Sequence, residues 1–178
     1  MSARRTNNTN LNGRDSDNFS LAMQLTENYH NELINDLLPA VEGTFSGFAA
    51  SARSEDLIAD RDHRGFGGFS MGAVTTWRTF QYGLDYFHYF LPMSCGTSLD
   101  DEAIYSAAAG HDSKSFFIFI MTGTKDFAFP YDAARAKSMN SMGYFSDIDH
   151  RPSARRQLRL QGEAGLCPRW DGGDGVYL

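Results

Sequence analysis

The sequence predicts an α/β fold, a mostly parallel sheet with helices on its flanks, and three observations carry that prediction. Residues 116–122, Phe-Phe-Ile-Phe-Ile-Met-Thr, form a continuous apolar, β-prone run, as expected of a strand buried on both faces. Apolar runs alternate with stretches of helical periodicity in the order helix, strand, helix, strand, strand, helix, the pattern of crossover units. Between the first strand and its helix lies Gly68-Phe69-Ser70-Met71-Gly72, a G-x-S-x-G turn.

The chain's 178 residues, 42% of them hydrophobic, suit one core and one domain. A formal charge of −6 argues against a phosphate-backbone binder, so nucleic acid is excluded as a partner. No run approaches the roughly 20 apolar residues that would span a bilayer, and no membrane partner is expected. The two cysteines, Cys95 and Cys167, make no metal-ligand pattern, and sequence does not decide whether they pair.

Residues 1–19 are rich in Asn, Asp, Ser and Gly and read as a polar stub. They hold no apolar h-region, so they form no signal peptide. From Leu21 the pattern changes. Tyr29, Leu33, Leu37 and Val41 recur every four residues, with Ile34 and Leu38 beside them and Glu27, Asn31, Glu32, Asn35 and Asp36 opposite, which predicts an amphipathic helix ending near residues 39–43. Residues 46–61 read as a polar connector. Residues 65–69 read as a short buried strand, and residues 71–82, with Val74, Trp77 and Phe80 at helical spacing, as the helix after it.

The latter half of residues 86–94 reads as a buried strand, residues 101–108 as a short helix, and residues 131–142 as another helix. From about residue 151 the tail shows neither helical nor alternating periodicity. The expected organisation is therefore a stub over 1–19, a domain over 20–145 and an irregular tail over 146–178.

A small-residue turn between strand and helix also produces the string G-x-S-x-G, but the flanking strand and helix favour a nucleophile elbow. There Ser70 is lifted on a sharp turn, Gly68 and Gly72 leave room around it, and the Met71 N–H at the helix start faces the charge that develops on an attacked carbonyl oxygen. A serine nucleophile needs a base, and the base needs an orienting acid. Asp126, directly after the buried run, is placed on the same sheet rim as Ser70. It is equally a residue type that caps helices and closes loops.

The base is harder to find. His150 alone follows Asp126, in the charged segment Ser146-Asp147-Ile148-Asp149-His150-Arg151-Pro152. It reads as a poor candidate and more simply as a solvated residue. His30, His63, His88 and His111 read as packing or surface groups.

Three separated segments resemble one family. They are residues 31–42 (Asn-Glu-Leu-Ile-Asn-Asp-Leu-Leu-Pro-Ala-Val-Glu), residues 61–77 around Arg64-Gly65-Phe66-Gly67-Gly68-Phe69-Ser70-Met71-Gly72, and Met121-Thr122-Gly123-Thr124-Lys125-Asp126. In this order they are similar to carbohydrate esterase family one, the bacterial feruloyl and acetyl xylan esterases of the α/β-hydrolase superfamily. The resemblance implies an α/β-hydrolase fold, Ser70 as nucleophile, Met71 as one oxyanion donor and Asp126 as acid. It implies hydrolysis of feruloyl or acetyl esters on xylan, a small-molecule or polysaccharide ester substrate, and no metal or cofactor.

Two departures from the family shape the remaining expectations. The family has several strands before the early helix, so the chain is expected to be truncated and its sheet incomplete. The family's histidine would fall near residues 166–169, where none stands. Leu166-Cys167-Pro168-Arg169-Trp170 can be encoded as CTT TGC CCA CGA TGG, whose shifted frame reads Phe-Ala-His-Asp, so a frameshift is expected there. The functional readings are a serine esterase, a catalytically impaired fragment of one, or another acyl hydrolase such as a lipase or peptidase. An incomplete sheet exposes a strand edge, which favours association.

Overall fold

Strands and helices alternate in the computed structural model, which describes residues 18–45, 47–112, 114–141, 148–151, 157–160 and 175–177. Helix α1 (Phe19–Glu32) starts where Asn18 accepts the Leu21 N–H at 3.0 Å, an N-cap satisfying one of the helix's orphan donors. A π turn follows at Leu33–Leu37, and α2 (Leu38–Thr44) continues the rod. In a regular helix the Pro39 ring would collide with the carbonyl four residues earlier. The wide turn, with the Leu38 N–H bonded to the Leu33 carbonyl, ends just before it.

That turn changes which residues face inward. Leu33 and Leu38, five apart, are buried, whereas Leu37 and Val41 are 44% and 43% exposed. The four-residue stripe expected over 29–41 therefore holds only as far as Leu33. The connector before the first strand contains α3 (Ser54–Ala59) and a 3-10 turn at Arg61–His63.

Strand β1 (Gly65–Phe69) leads into α4 (Met71–Gly83), then β2 (Tyr89–Met93). The chain continues through α5 (Asp101–Ser106), β3 (Phe117–Ile118), β4 (Met121–Gly123) and α6 (Phe129–Asn140). Three further strands follow, β5 (Ile148–Arg151), β6 (Gln157–Leu160) and β7 (Gly175–Tyr177), in the tail whose sequence reads as irregular. The sheet order is β1-β2-β4-β7-β6-β5, with β3 also against β2. The pairings among β1, β2, β3 and β4 are all parallel, while β4/β7 and β5/β6 are antiparallel.

Two strands differ from their sequence reading. β1 pairs only with β2 among the described residues, so it is an edge strand, and Phe69 is 66% exposed rather than buried. The run 116–122 is one stretch of sequence but two strands. Phe117 and Phe119 donate their N–H groups to the carbonyls of His88 and Phe90, and Ser94 donates to the Met121 carbonyl. The next link of a parallel ladder would come from the N–H of residue 92 to the carbonyl of Phe119. Residue 92 is a proline with no N–H to give, and the ladder breaks at 119–120.

The core lies between α4 and the sheet. Phe80 meets Phe90 and Phe116 edge-on at centroid distances of 5.1 and 5.4 Å, and Trp77 packs against Phe80 at 6.2 Å. Val74, Trp77 and Phe80 are at most 2% exposed, so this helix face buries as its spacing predicted. Cys95 is a free, buried thiol, with burial raising its pKa. Cys167 lies outside the described residues. No helix among the described residues is long and apolar enough to cross a membrane.

Candidate active site

Ser70 stands between the end of β1 and the start of α4 with φ 59° and ψ −115°. A non-glycine residue in this region stores about 1–3 kcal/mol and persists only where its surroundings hold it. The Ser70 N–H is anchored on the Met93 carbonyl at 2.9 Å, and the Ser70 carbonyl accepts from Ala73 at 2.9 Å. The hydroxyl makes no capping bond to α4, and the residue is exposed. Met71 opens α4, so its N–H belongs to the set that a helix start leaves without an intrahelical partner.

The flanking glycines turn out to be unequal. A Cβ on Gly68 would sit 2.5–2.7 Å from the backbone of Gly72, whereas a Cβ on Gly72 would meet nothing within 4 Å. The tight approach is of the Gly68 side to the helix's first turn. Space for a side chain remains at Gly72, contrary to the expectation that both positions exclude bulk.

Asp126 follows β4 in a tight turn, its N–H bonded to the Gly123 carbonyl at 2.9 Å. Oδ1 accepts the Ala128 N–H at 2.9 Å, a local Asx turn, while Oδ2 accepts the Ser94 hydroxyl at 2.8 Å. The local capping role and a cross-strand role thus coexist on one carboxylate, which still has lone pairs for another donor. Since β1, β2 and β4 run parallel as neighbours, Ser70, Ser94 and Asp126 follow the carboxyl ends of three adjacent strands. Strand spacing sets the outer two roughly 10 Å apart, a gap that an imidazole bridges in a triad.

Sequence reading missed Ser94, Asp132 and Arg135. Ser94 is 7% exposed at φ 52°, and among the described residues it and Ser70 are the non-glycine residues of positive φ. Asp132 is fully buried on α6 and accepts the Cys95 N–H at 3.1 Å. Burial pushes its carboxyl up to about 6, against the pull of Arg135. Arg135 bonds Asp101 at 2.9 Å and the Thr97 carbonyl at 3.2 Å, and lies 5.4 Å over the Trp77 ring. Together they tie the segment after β2 to α6. An i, i+3 pair of opposite charge on a helix usually reads as a solvated face, and nothing in the sequence marks this one as buried.

The described histidine side chains lie elsewhere. His63 and His88 directly precede β1 and β2, paired to Asp60 and Asp62 at 2.7 Å. His111 lies ahead of β3, 3.7 Å from Asp85. These positions are at the amino ends of the strands, the far side of the sheet from Ser70. His30 stacks on Tyr82, near the end of α4, at 4.2 Å. His150 falls on β5, and residues 166–169 lie outside the described residues. No cluster of His, Cys, Asp and Glu suited to a metal ion occurs among the described residues.

No protein-family profile matches the chain. Endo-1,4-beta-xylanase Y of Acetivibrio thermocellus is 35% identical over 127 residues, covering 67% of this chain and 12% of the xylanase. A serine-to-alanine mutant of the feruloyl esterase module from Clostridium thermocellum, complexed with sinapinate, superposes with a TM-score of 0.64 at 31% identity. A structure of FAE superposes with a TM-score of 0.63 at 32% identity. Each superposition covers 68% of this chain and 46% of the other, so the chain spans less than half the length of the relatives it matches.

Proposed function

We propose, from the likeness to feruloyl esterase modules, that the chain belongs to carbohydrate esterase family one, the feruloyl and acetyl xylan esterases of the α/β-hydrolase fold, and that it is a serine esterase acting on feruloyl or acetyl esters of plant cell-wall xylan. The observation that carries the reading is Ser70 itself, a strained serine raised between a parallel strand and a helix start, on the rim that also bears Asp126.

In the proposed reaction the Ser70 hydroxyl attacks the ester carbonyl carbon and gives its proton to a base oriented by Asp126. The oxyanion settles against the Met71 N–H, where the helix dipole favours negative charge. Collapse breaks the bond to the sugar oxygen, which takes the proton and leaves. Water then attacks the acyl-Ser70 ester by the reverse route and releases the acid.

The placement of the described histidines favours a second reading, a chain that keeps nucleophile and acid but works without an efficient base. Hydrolysis of an aryl acetate and of methyl ferulate by the full chain, beside Ser70→Ala, separates the two. The esterase reading expects the alanine variant to lose at least about a thousandfold in kcat, because triad members act as a unit. Turnover equal to that of Ser70→Ala leaves the impaired-chain reading.

A further inference from the structure

We propose that Ser94 is a positioning residue, whose hydroxyl sets the orientation in which Asp126 presents its carboxylate to the interior of the site. The inference rests on the reading of Asp126 as the site's acid. The first observation is backbone strain. Ser94 holds φ 52°, a left-handed conformation that glycine adopts freely and serine at a cost. Glycine would fill this turn more easily, so what serine adds there is its hydroxyl.

The second observation is where that hydroxyl goes. It donates to Asp126 Oδ2 at 2.8 Å from a side chain 7% exposed. The remaining oxygen is already held by the Ala128 N–H. Two donors from two different segments thus fix both oxygens of one carboxylate, removing rotation about its last side-chain bond. One local donor would leave that rotation open.

The third observation is how firmly Ser94 is mounted. Its N–H bonds the Met121 carbonyl at 2.8 Å. The next residue's N–H bonds buried Asp132, and the Thr97 carbonyl is held by buried Arg135. The hydroxyl is therefore presented from a braced turn rather than from a loose loop. Bracing of this kind distinguishes a device that orients a neighbour from an incidental contact.

Ser94→Gly and Ser94→Ala test the proposal as a pair, because glycine relaxes the strained backbone while alanine keeps it, and both remove the hydroxyl. In an active chain, both variants are expected to lose about 10–100-fold in kcat with KM near the wild-type value, the range a misoriented group costs. Ser94→Gly is expected to melt no lower than wild type. Undiminished kcat in the glycine variant would overturn the proposal. The carboxyl-carbon NMR resonance of Asp126 at pH 7 gives a reading that needs no turnover. It is expected to shift and broaden in both variants, and an unmoved, sharp resonance would also overturn the proposal. A wild-type chain without Ser70-dependent turnover would defeat the esterase reading alone, since the resonance still decides the role of Ser94.

Discussion

The two ends of the parallel strands are built on opposite plans. At the amino ends, arginines reach across segments to collect backbone carbonyls. Arg61 donates to the carbonyls of Leu84 at 3.0 Å, Phe87 at 2.9 Å and Ser115, and Arg64 to those of Tyr86 and Leu57. At the carboxyl ends stand Ser70 and Ser94, both of positive φ, and an aspartate that accepts bonds from two segments. One end satisfies backbone carbonyls with arginine side chains, and the other holds two serines in a strained backbone conformation. The difference separates, along the strand direction, the bonds that hold segments together from the residues proposed to act, in line with ligands binding beyond the carboxyl ends of parallel strands.

The widest test of that separation is Arg61→Ala. It removes charged hydrogen bonds to three carbonyls on two segments, each worth about 1.5–3 kcal/mol, and the expected loss in urea unfolding is about 4–5 kcal/mol. Any esterase rate per folded molecule should stay near wild type. A rate collapse without destabilisation would erase the distinction between the ends.

Gly68→Ala and Gly72→Ala sharpen the comparison within the rim. The first drives a methyl into the Gly72 backbone and is expected to cost about 2–3 kcal/mol, the range of forced overpacking, as well as displacing Ser70. The second adds a methyl in open space at a helical position, where alanine is the better helix former. Stability there should hold or rise by up to about 1 kcal/mol. Equal destabilisation by both would contradict the geometry of the turn.

A smaller effect probes what braces the rim. The Asp132 carboxyl, pushed up to about 6 chiefly by burial, favours its neutral form in the folded chain. Its contribution to stability is complete below the ordinary carboxyl range and is lost as pH rises through about 6. Thermal melts should therefore show Asp132→Asn gaining on wild type between pH 4 and pH 7, by about 1–2 kcal/mol. A constant difference across that range would show that the carboxyl ionises as freely in the folded chain as in the unfolded one.

Much of this was legible in the sequence. The helix after Ser70 buries Val74, Trp77 and Phe80 because a 3.6-residue period can be read directly, and the elbow's bounds followed from its glycines. The stripe over 29–41 failed past Leu33 because a π turn leaves no trace in hydrophobic spacing. The run 116–122 failed as one strand because its interruption is caused by Pro92, on a neighbouring strand whose register only the fold supplies. β1 looked buried because Gly-Phe-Gly-Gly-Phe counts as apolar, although burial depends on having neighbours on both sides. For the candidate site, motif and position pointed to Ser70 and Asp126, whose roles are proposals. Ser94 did not, since a serine at positive φ has no sequence signature, and the Asp132–Arg135 pair looked like any solvated charges on a helix.

The missing link at Pro92 also bears on motion. Amides bonded in a sheet exchange with solvent only when the ladder opens, and openings spread along contiguous bonds. A gap between Phe119 and Met121 acts as a firebreak. The turn that carries Asp126 can breathe with β4 while Phe90 and Ile118, deeper in the molecule, stay closed. Deuterium should accordingly enter the Met121–Gly123 amides well before it reaches those of Phe117 and Phe119.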